Sequence, residues 1–377
     1  MVICQSLALA ALIVWFGRDF IRKRPALCYA VAAALALTSV AGLWSGVIGE
    51  LPGWFARWVI PMFTKGALAL ALFFFVMFAN AVPNGSPFMK RVMPVRGELS
   101  IIASILAIGH GAALGKAQLE HALAGRLDGA LGAAAFIVSL LLMAVMLPLF
   151  VTSFRRIRRK MKPQAWKKLQ RAAYAFYALA CLHIILFNIK GARGGNAGAL
   201  INVLVYGGLF VTYAVMRGRK ALEKKYPNRS NPREALAALG AAVMAALALL
   251  AMAPAPALPV EPLEETALAA AEPDSTPEPA PLPASLPAYA DGEYTGRGMG
   301  YNGQMKAAVT IENGVIVDIR LKSVVDDEEY VDKIQATLIP AMLAAQYAQV
   351  DAVSGATSSS DGLMAAVGEA LEKAAGN

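Results

Sequence analysis

Eight apolar runs, each followed by a short polar stretch, decide what kind of object this chain folds into. They cover about residues 2–17, 25–48, 60–83, 98–115, 130–152, 172–189, 198–216 and 235–253. A helix crossing a hydrocarbon core of about 30 Å needs roughly 17–25 mostly apolar residues, and the runs match that length except the first, which is short. That first run lacks a basic n-region and a small-residue cleavage site, so it reads as a span and not as a signal peptide. The hydrophobic content of 57% agrees, because a soluble chain of this size rarely carries so much.

Charge divides the chain in two. Residues 1–252 hold 29 Lys and Arg against 7 Asp and Glu, whereas residues 253–377 hold 6 against 19. A basic balance often signals nucleic acid, but here the cations sit in short loops, so no nucleic-acid partner is expected. The stretches after runs 1, 3, 5 and 7 carry 4, 3, 9 and 7 basic residues, as in "RRIRRKMKPQAWKK" at 155–168. The positive-inside rule makes those loops cytoplasmic. Both termini, and everything after about residue 253, then lie outside the cytoplasm, on a multi-pass protein of the cell membrane. Cys4, Cys28 and Cys181 lie in or beside the runs with no Cys-x-x-Cys spacing, which indicates neither a disulfide framework nor a zinc site.

Three regions follow: a membrane domain over 1–252, a linker over 253–288 and a small domain over 289–377. The linker holds ten prolines, six acids and no basic residue, a composition that stays extended. In the last region "QMKAAVTIENGVIVDIRLKSV" gives two β-branched runs joined at Asn313-Gly314, a hairpin signal. A helix through Pro340, kinked there, and a last helix over about 361–374 complete the expectation. The fold class is therefore a polytopic α-helical membrane bundle of about eight spans plus a small C-terminal α+β domain. Gly298-Met-Gly300-Tyr-Asn-Gly303 spells G-x-G-x-x-G, but a strand follows it and no βαβ unit exists, so a dinucleotide site is excluded. The glycines are expected to shape a tight turn near a ligand or a strand end.

The stretch "DAVSGATSSSDG" at 351–362 can be read as a polar turn in which Ser359, Ser360 or Asp361 caps the last helix. It also resembles the flavinylation motif D-x-x-[S/T]-G-A-[S/T] of the extracytoplasmic FMN-binding domain. That domain occurs in the C subunit of sodium-translocating NADH:quinone oxidoreductases and the G subunit of Rnf complexes. Asp351, Ser354, Gly355, Ala356 and Thr357 each match. The resemblance implies that a flavin transferase joins the FMN phosphate to the Thr357 hydroxyl as a phosphoester. It covers most of 289–377 and departs at Asp326-Asp327-Glu328-Glu329-Tyr330, so no flavin-ring contacts are assigned there.

Only three histidines exist, His110, His121 and His183. His121 falls in the outer loop "KAQLEHALAGRLDG" and reads as a surface residue. His110 and His183 lie twelve and eleven residues into two parallel runs, at roughly 17–18 Å of helical rise from the inner edge. Ionisable side chains at that depth are functional candidates. Two imidazoles at equal depth can clamp one iron, if the helices face each other. "RGELSIIASILAIGH" and "WKKLQRAAYAFYALACLH" resemble the haem-bearing helices of ferric reductase-like transmembrane domains. By that resemblance His110 and His183 are the axial ligands of one b-type haem. Arg96 and Gln170 occupy the places a second, inner pair would need. Lys190, Arg193, Arg57 and Lys65 are candidates for the haem propionates.

Together these expectations describe a transmembrane oxidoreductase. Electrons pass from a donor through the haem to covalent FMN outside, and on to an external acceptor. The donor is a membrane quinol or a cytoplasmic flavoreductase docking on 155–171. The alternative is a non-catalytic redox subunit or sensor whose flavin domain docks on a larger membrane complex. A transporter would show paired acidic or broken-helix sites in the spans, which hold almost no carboxylate apart from Glu98 at an edge.

Overall fold

The computed structural model describes residues 2–45, 47–125, 127, 129–193, 196–226, 231–253, 289–300, 304–324, 328–353 and 356–376. They form two compact units, Met1–Ala253 and Pro254–Asn377. The acidic Pro/Ala-rich linker lies almost wholly outside the described residues.

The first unit is all helix: α1 (Val2–Lys23), α2 (Pro25–Ser45), α3 (Gly53–Trp58), α4 (Ile60–Thr64), α5 (Ala67–Ala81), α6 (Pro87–Val92), α7 (Arg96–Leu123), α8 (Gly129–Ser153), α9 (Arg155–Arg158), α10 (Pro163–Gln170), α11 (Ala172–Arg193), α12 (Ala197–Lys225) and α13 (Asn231–Met252). Among the described residues seven helices are long and apolar enough to cross a membrane. The pair Trp54–Thr64 and Ala67–Ala81, bent by 49°, makes an eighth if it is one span.

The third run is therefore not one straight helix, as an unbroken apolar run suggests. Gly66 adopts a left-handed backbone (φ 69°) between α4 and α5 and interrupts the run. This conformation is open to glycine and strained for other residues. α5 is the most deeply packed helix, with Leu72, Phe74 and Met77 closed off by neighbours. Its partners are α1, α7 and α12. Large apolar side chains such as Phe16, Leu37 and Leu249 point outward instead, at 81%, 69% and 72% exposure. Such an outside suits a lipid solvent. Close crossings use small residues, as helix pairs in lipid do: Gly109 of α7 backs onto Ala36 of α2, and Leu236 of α13 seats over Gly218 of α12. α7 runs past the expected end at 115, supported by the Lys116–Glu120 pair one turn apart at 3.9 Å. His121 thus lies in a last helical turn and not in a loop.

The second unit is a three-stranded antiparallel meander, β1 (Gly292–Met299), β2 (Gln304–Glu312) and β3 (Val315–Ser323), with α14 (Glu328–Ala345) and α15 (Thr357–Ala374). Asn313 (φ 53°) and Gly314 (φ 75°) make the tight turn between β2 and β3. β2 sends Met305, Ala307, Val309 and Ile311 into the core. On β3 Ile316 and Ile319 both face inward although they are an odd number apart. A bulge reconciles them: Thr310 pairs with Asp318 and Ile311 with Ile316, which leaves Val317 unpaired and exposed. The Gln346 side chain accepts from Ile316 N at 2.7 Å and donates to Ile316 O at 3.0 Å, covering the free edge of β3. Helix α14 runs on through Pro340 to Ala345.

Gly298 stands at the end of β1, one of the two places expected for it. It faces α15 so closely that a Cβ there would run into the Gly362 carbonyl oxygen and stand 2.8 Å from Ala366 N. The glycine is there for strand-to-helix packing. Gly303 lies outside the described residues.

Candidate functional site

Helices α7 and α11 bring His110 and His183 face to face. Their ring centres are 6.3 Å apart and their planes nearly perpendicular, at 85°. One metal–imidazole bond of about 2.0 Å plus roughly 1.15 Å from ring nitrogen to ring centre, taken twice, spans about 6.3 Å. The pair therefore stands at the separation that two imidazoles on one iron require.

The second nitrogen of each ring is already committed. His110 Nδ1 lies 2.6 Å from the Thr64 carbonyl oxygen. A carbonyl only accepts, so Nδ1 carries the hydrogen and Nε2 carries the lone pair. His183 Nδ1 lies 3.0 Å from Ser139 Oγ, whose own hydrogen goes to the Ala135 carbonyl at 2.7 Å. Ser139 therefore accepts from His183 Nδ1, and again Nε2 is left as the donor atom. Such outer partners fix tautomer and ring orientation in metal-ligating histidines. The donor set fits a low-spin haem iron held from two sides.

The interrupted span supplies one of these partners. Carbonyls in the last turn of a helix have no intrahelical acceptor role, and Thr64 is the last residue of α4. Gly66 also keeps the way clear, since a Cβ there would stand 3.0 Å from Cγ and Cδ2 of His110. Neither Thr64, Gly66 nor Ser139 was flagged by sequence. The visible hint is the "TKG" break inside an otherwise apolar run. Of the proposed propionate partners, Lys65 follows Thr64 directly, and Arg193 Nε donates to the Ala253 carbonyl at 3.2 Å. Lys190 is exposed on the last turn of α11. The Arg57 side chain is outside the described set.

In the second unit α15 begins at Thr357, so the last residue of the 351–357 motif is the first residue of a helix. The helix starts earlier than 361 because Ser359 and Ser360 are interior to it and buried, not caps. Ser360 Oγ donates to the Ala356 carbonyl at 2.9 Å and accepts from Val353 N at 3.1 Å, tying the segment before the helix to its first turn. Ala356 is buried at the N-cap position, and its N–H donates to Val353 O at 2.9 Å. Asp351 is exposed and borders a cleft of about 620 Å³ with Thr337 and Ala341 of α14. Ser354 and Gly355 fall outside the described residues, as do Asp326 and Asp327.

Two known families match. Residues 63–181 match the ferric reductase like transmembrane component, and residues 300–372 match the FMN-binding domain. The first match takes in Thr64, Gly66, His110 and Ser139 and stops two residues before His183. The second takes in the whole 351–357 motif. The chain is a ferric reductase-like membrane protein fused to an FMN-binding domain. It belongs to one family with an "Uncharacterized protein" of Treponema pallidum (strain Nichols), 31% identical over 354 residues, which are 94% of each chain. No solved structure matches significantly. A ferric reductase-like membrane component joined to an FMN domain makes the protein a membrane flavoprotein of redox and electron-transfer chemistry.

Proposed function

We propose that the protein carries electrons outward across the membrane, from a b-type haem held by His110 and His183 to FMN esterified to Thr357, and on to an external acceptor. The single observation that carries this reading is the histidine pair: 6.3 Å between ring centres, with both Nδ1 atoms committed to Thr64 and Ser139. A haem so held supplies one-electron exchange, and FMN exchanges one or two. The chain's own residues do the rest. Thr64 and Ser139 hold each ring through Nδ1 so that Nε2 stays unprotonated. Gly66 leaves room for the His110 ring.

The basic loops support an orientation with the FMN domain and both termini outside the cytoplasm. In that orientation a flavin transferase of the same side attaches the FMN phosphate through Thr357 Oγ1. The phosphodiester then sits at the first residue of an 18-residue helix, where free N–H groups and the helix dipole favour an anion. Ser354, Gly355, Ala356 and Asp351 form the rest of the transferase recognition segment. A covalent link suits a flavin on the outside, where a dissociable one is lost by dilution. The donor is a membrane quinol or a cytoplasmic flavoreductase.

The test is the dithionite-reduced minus oxidised spectrum of the purified protein, coexpressed with a flavin transferase and supplied with haem. Sharp b-type bands with flavin bleaching are expected. Flavin bleaching without haem bands would overturn the reading and make His110 and His183 structural.

A further inference from the structure

The membrane unit contains a cavity of about 1040 Å³ that the histidine pair does not use. It lies at the end of the bundle that carries the basic segment 155–171. Phe73, Phe176 and Tyr177 give it an aromatic floor, and Arg96, Glu98 and Arg155 stand among its polar lining. Its size is that of a small-molecule site.

The cavity lining shares both helices with the histidines. Its lining reaches Ser104 on α7 and Phe176 on α11, six and seven residues before His110 and His183. At 1.5 Å per residue these offsets are about 9 and 10.5 Å along the helix axes. The deepest lining residues on these two helices therefore stand about 10 Å from the histidine level along the helix axes.

Glu98 is the one carboxylate among the described lining residues. It is 6% exposed, and its oxygen pairs with Arg155 Nη2 at 2.5 Å. The Arg155 side chain is 60% exposed and can move into solvent. Intramembrane carboxylates are costly and mark proton pathways. Arg96 and the cations of 155–171 outnumber this acid and line the basic end, and Glu98 is the one carboxylate of the described lining that can take up protons from a bound hydroxyl. The rim residues Met93 and Tyr174 are 36% and 48% exposed on the outside of the bundle, so the mouth opens sideways as well as to the basic end.

We infer that this cavity binds the headgroup of a membrane quinol and that Glu98 accepts its protons. The inference rests on the reading of His110 and His183 as the haem site. Oxidation of one quinol breaks its two O–H bonds and yields the quinone, two protons and two electrons. A haem held by His110 and His183 would take these electrons one at a time, in two successive one-electron exchanges. The protons pass by way of Glu98 to water at the rim, while Arg155 swings between the carboxylate and solvent.

Two measurements on the full chain in liposomes test this. The first is photolabelling with an azidoquinone, mapped by mass spectrometry. Labels are expected on peptides spanning 96–104 and 173–177, displaced by excess quinone and reduced at least tenfold by Ser104→Phe, which fills the floor. The second is stopped-flow reduction of the haem by menadiol in the flavin-free Thr357→Val background. There Glu98→Gln is expected to slow reduction at least tenfold while labelling and the dithionite-reduced spectrum stay as they are. Labels elsewhere, labelling indifferent to Ser104→Phe, or an unchanged rate in Glu98→Gln would each overturn the inference. So would haem reduction by FMNH2, supplied by NADH and a flavin reductase, with none by menadiol. A chain without haem bands overturns the histidine reading instead, and the labelling then decides the quinol site alone.

Discussion

Three glycines of the FMN domain make a quantitative test of how β1 meets α15. A Cβ added at Gly298 would stand 2.8 Å from Ala366 N and nearer still to the Gly362 carbonyl, where ordinary contact begins at about 3.5 Å. Both obstacles are backbone, so no side chain can rotate away. The strand and helix have to part by roughly 1 Å, which opens the layer holding Met305, Leu363 and Val367. Overpacking of this kind typically costs 1–3 kcal/mol, and Gly298→Ala belongs at about 3 kcal/mol. Gly368, in the same helix, is the control. Its Cβ would meet only Ala348 Cβ at 3.8 Å, and a helical Gly→Ala gains about 0.5–1 kcal/mol. Gly362→Ala has that same helical gain, but its Cβ would stand 2.7 Å from Gly300 N, so the net is a loss of about 1–2 kcal/mol. For a domain this small, 1 kcal/mol moves Tm by about 4–8 °C. Residues 289–377 close their own core, so thermal unfolding by circular dichroism on that fragment reads the series. Gly368→Ala should raise Tm by a few degrees, and Gly298→Ala should lower it by about 12 °C or more. An unchanged Tm in Gly298→Ala, or equal losses in Gly298→Ala and Gly368→Ala, would refute the packing account.

Other outcomes follow from the two sites. Thr357→Val should abolish flavin that survives denaturing electrophoresis and leave the haem bands intact, while His183→Ala should do the reverse; absorption and in-gel fluorescence read both. Ser139→Ala removes the acceptor of His183 Nδ1–H and should weaken haem retention by about 10–100-fold, measured by haem transfer to apomyoglobin. Acid stability of the FMN domain should depend on Glu369, which accepts from Lys373 Nζ at 2.6 Å and from Arg297 N at 2.8 Å. The hydrogen bond from Lys373, then that from the Arg297 backbone and the two positive charges, hold its carboxyl below the ordinary 4.5. A folded-state value below the unfolded one gives stability that is complete above pH 4.5 and is lost as pH falls through the folded value. Glu369→Gln should therefore narrow the gap in Tm between pH 7 and pH 3.5, and an unchanged gap would count against the pair.

Much of this was legible in the residues. Apolar runs of spanning length declare themselves because lipid forces every backbone group into a helix. Asn313-Gly314 announced its turn, and the segment 351–357 pointed to the domain type that residues 300–372 match. The depth count brought His110 and His183 to one level, and the structure sets them ring to ring. What sequence missed is non-local or conformational. The gap at Gly66 is invisible to a hydropathy sum, since one glycine barely lowers it. Ser139 is one hydroxyl among several in apolar helices, and only packing of α8 on α11 aims it at His183. The burial of Ser359 and Ser360 had no local sign either, because hydroxyls beside a helix start look like caps. Gly298 stands at a strand end as expected, but the reason only glycine fits there is a helix nearly sixty residues further on.

The gap between α4 and α5 also bears on how the protein is made. A carbonyl left without a partner in hydrocarbon costs several kcal/mol, and Thr64 finds its partner only on α7, 46 residues later. The segment around Gly66 leaves the ribosome before that partner exists. It is thus poorly suited to enter lipid alone as a finished span, and is better held at the insertion machinery or the interface until α7 arrives. Docking of His110 then settles two matters at once, the seating of the third span and the tautomer of its own imidazole. A chain that assembles this way has the unprotonated nitrogen of that imidazole selected during membrane insertion.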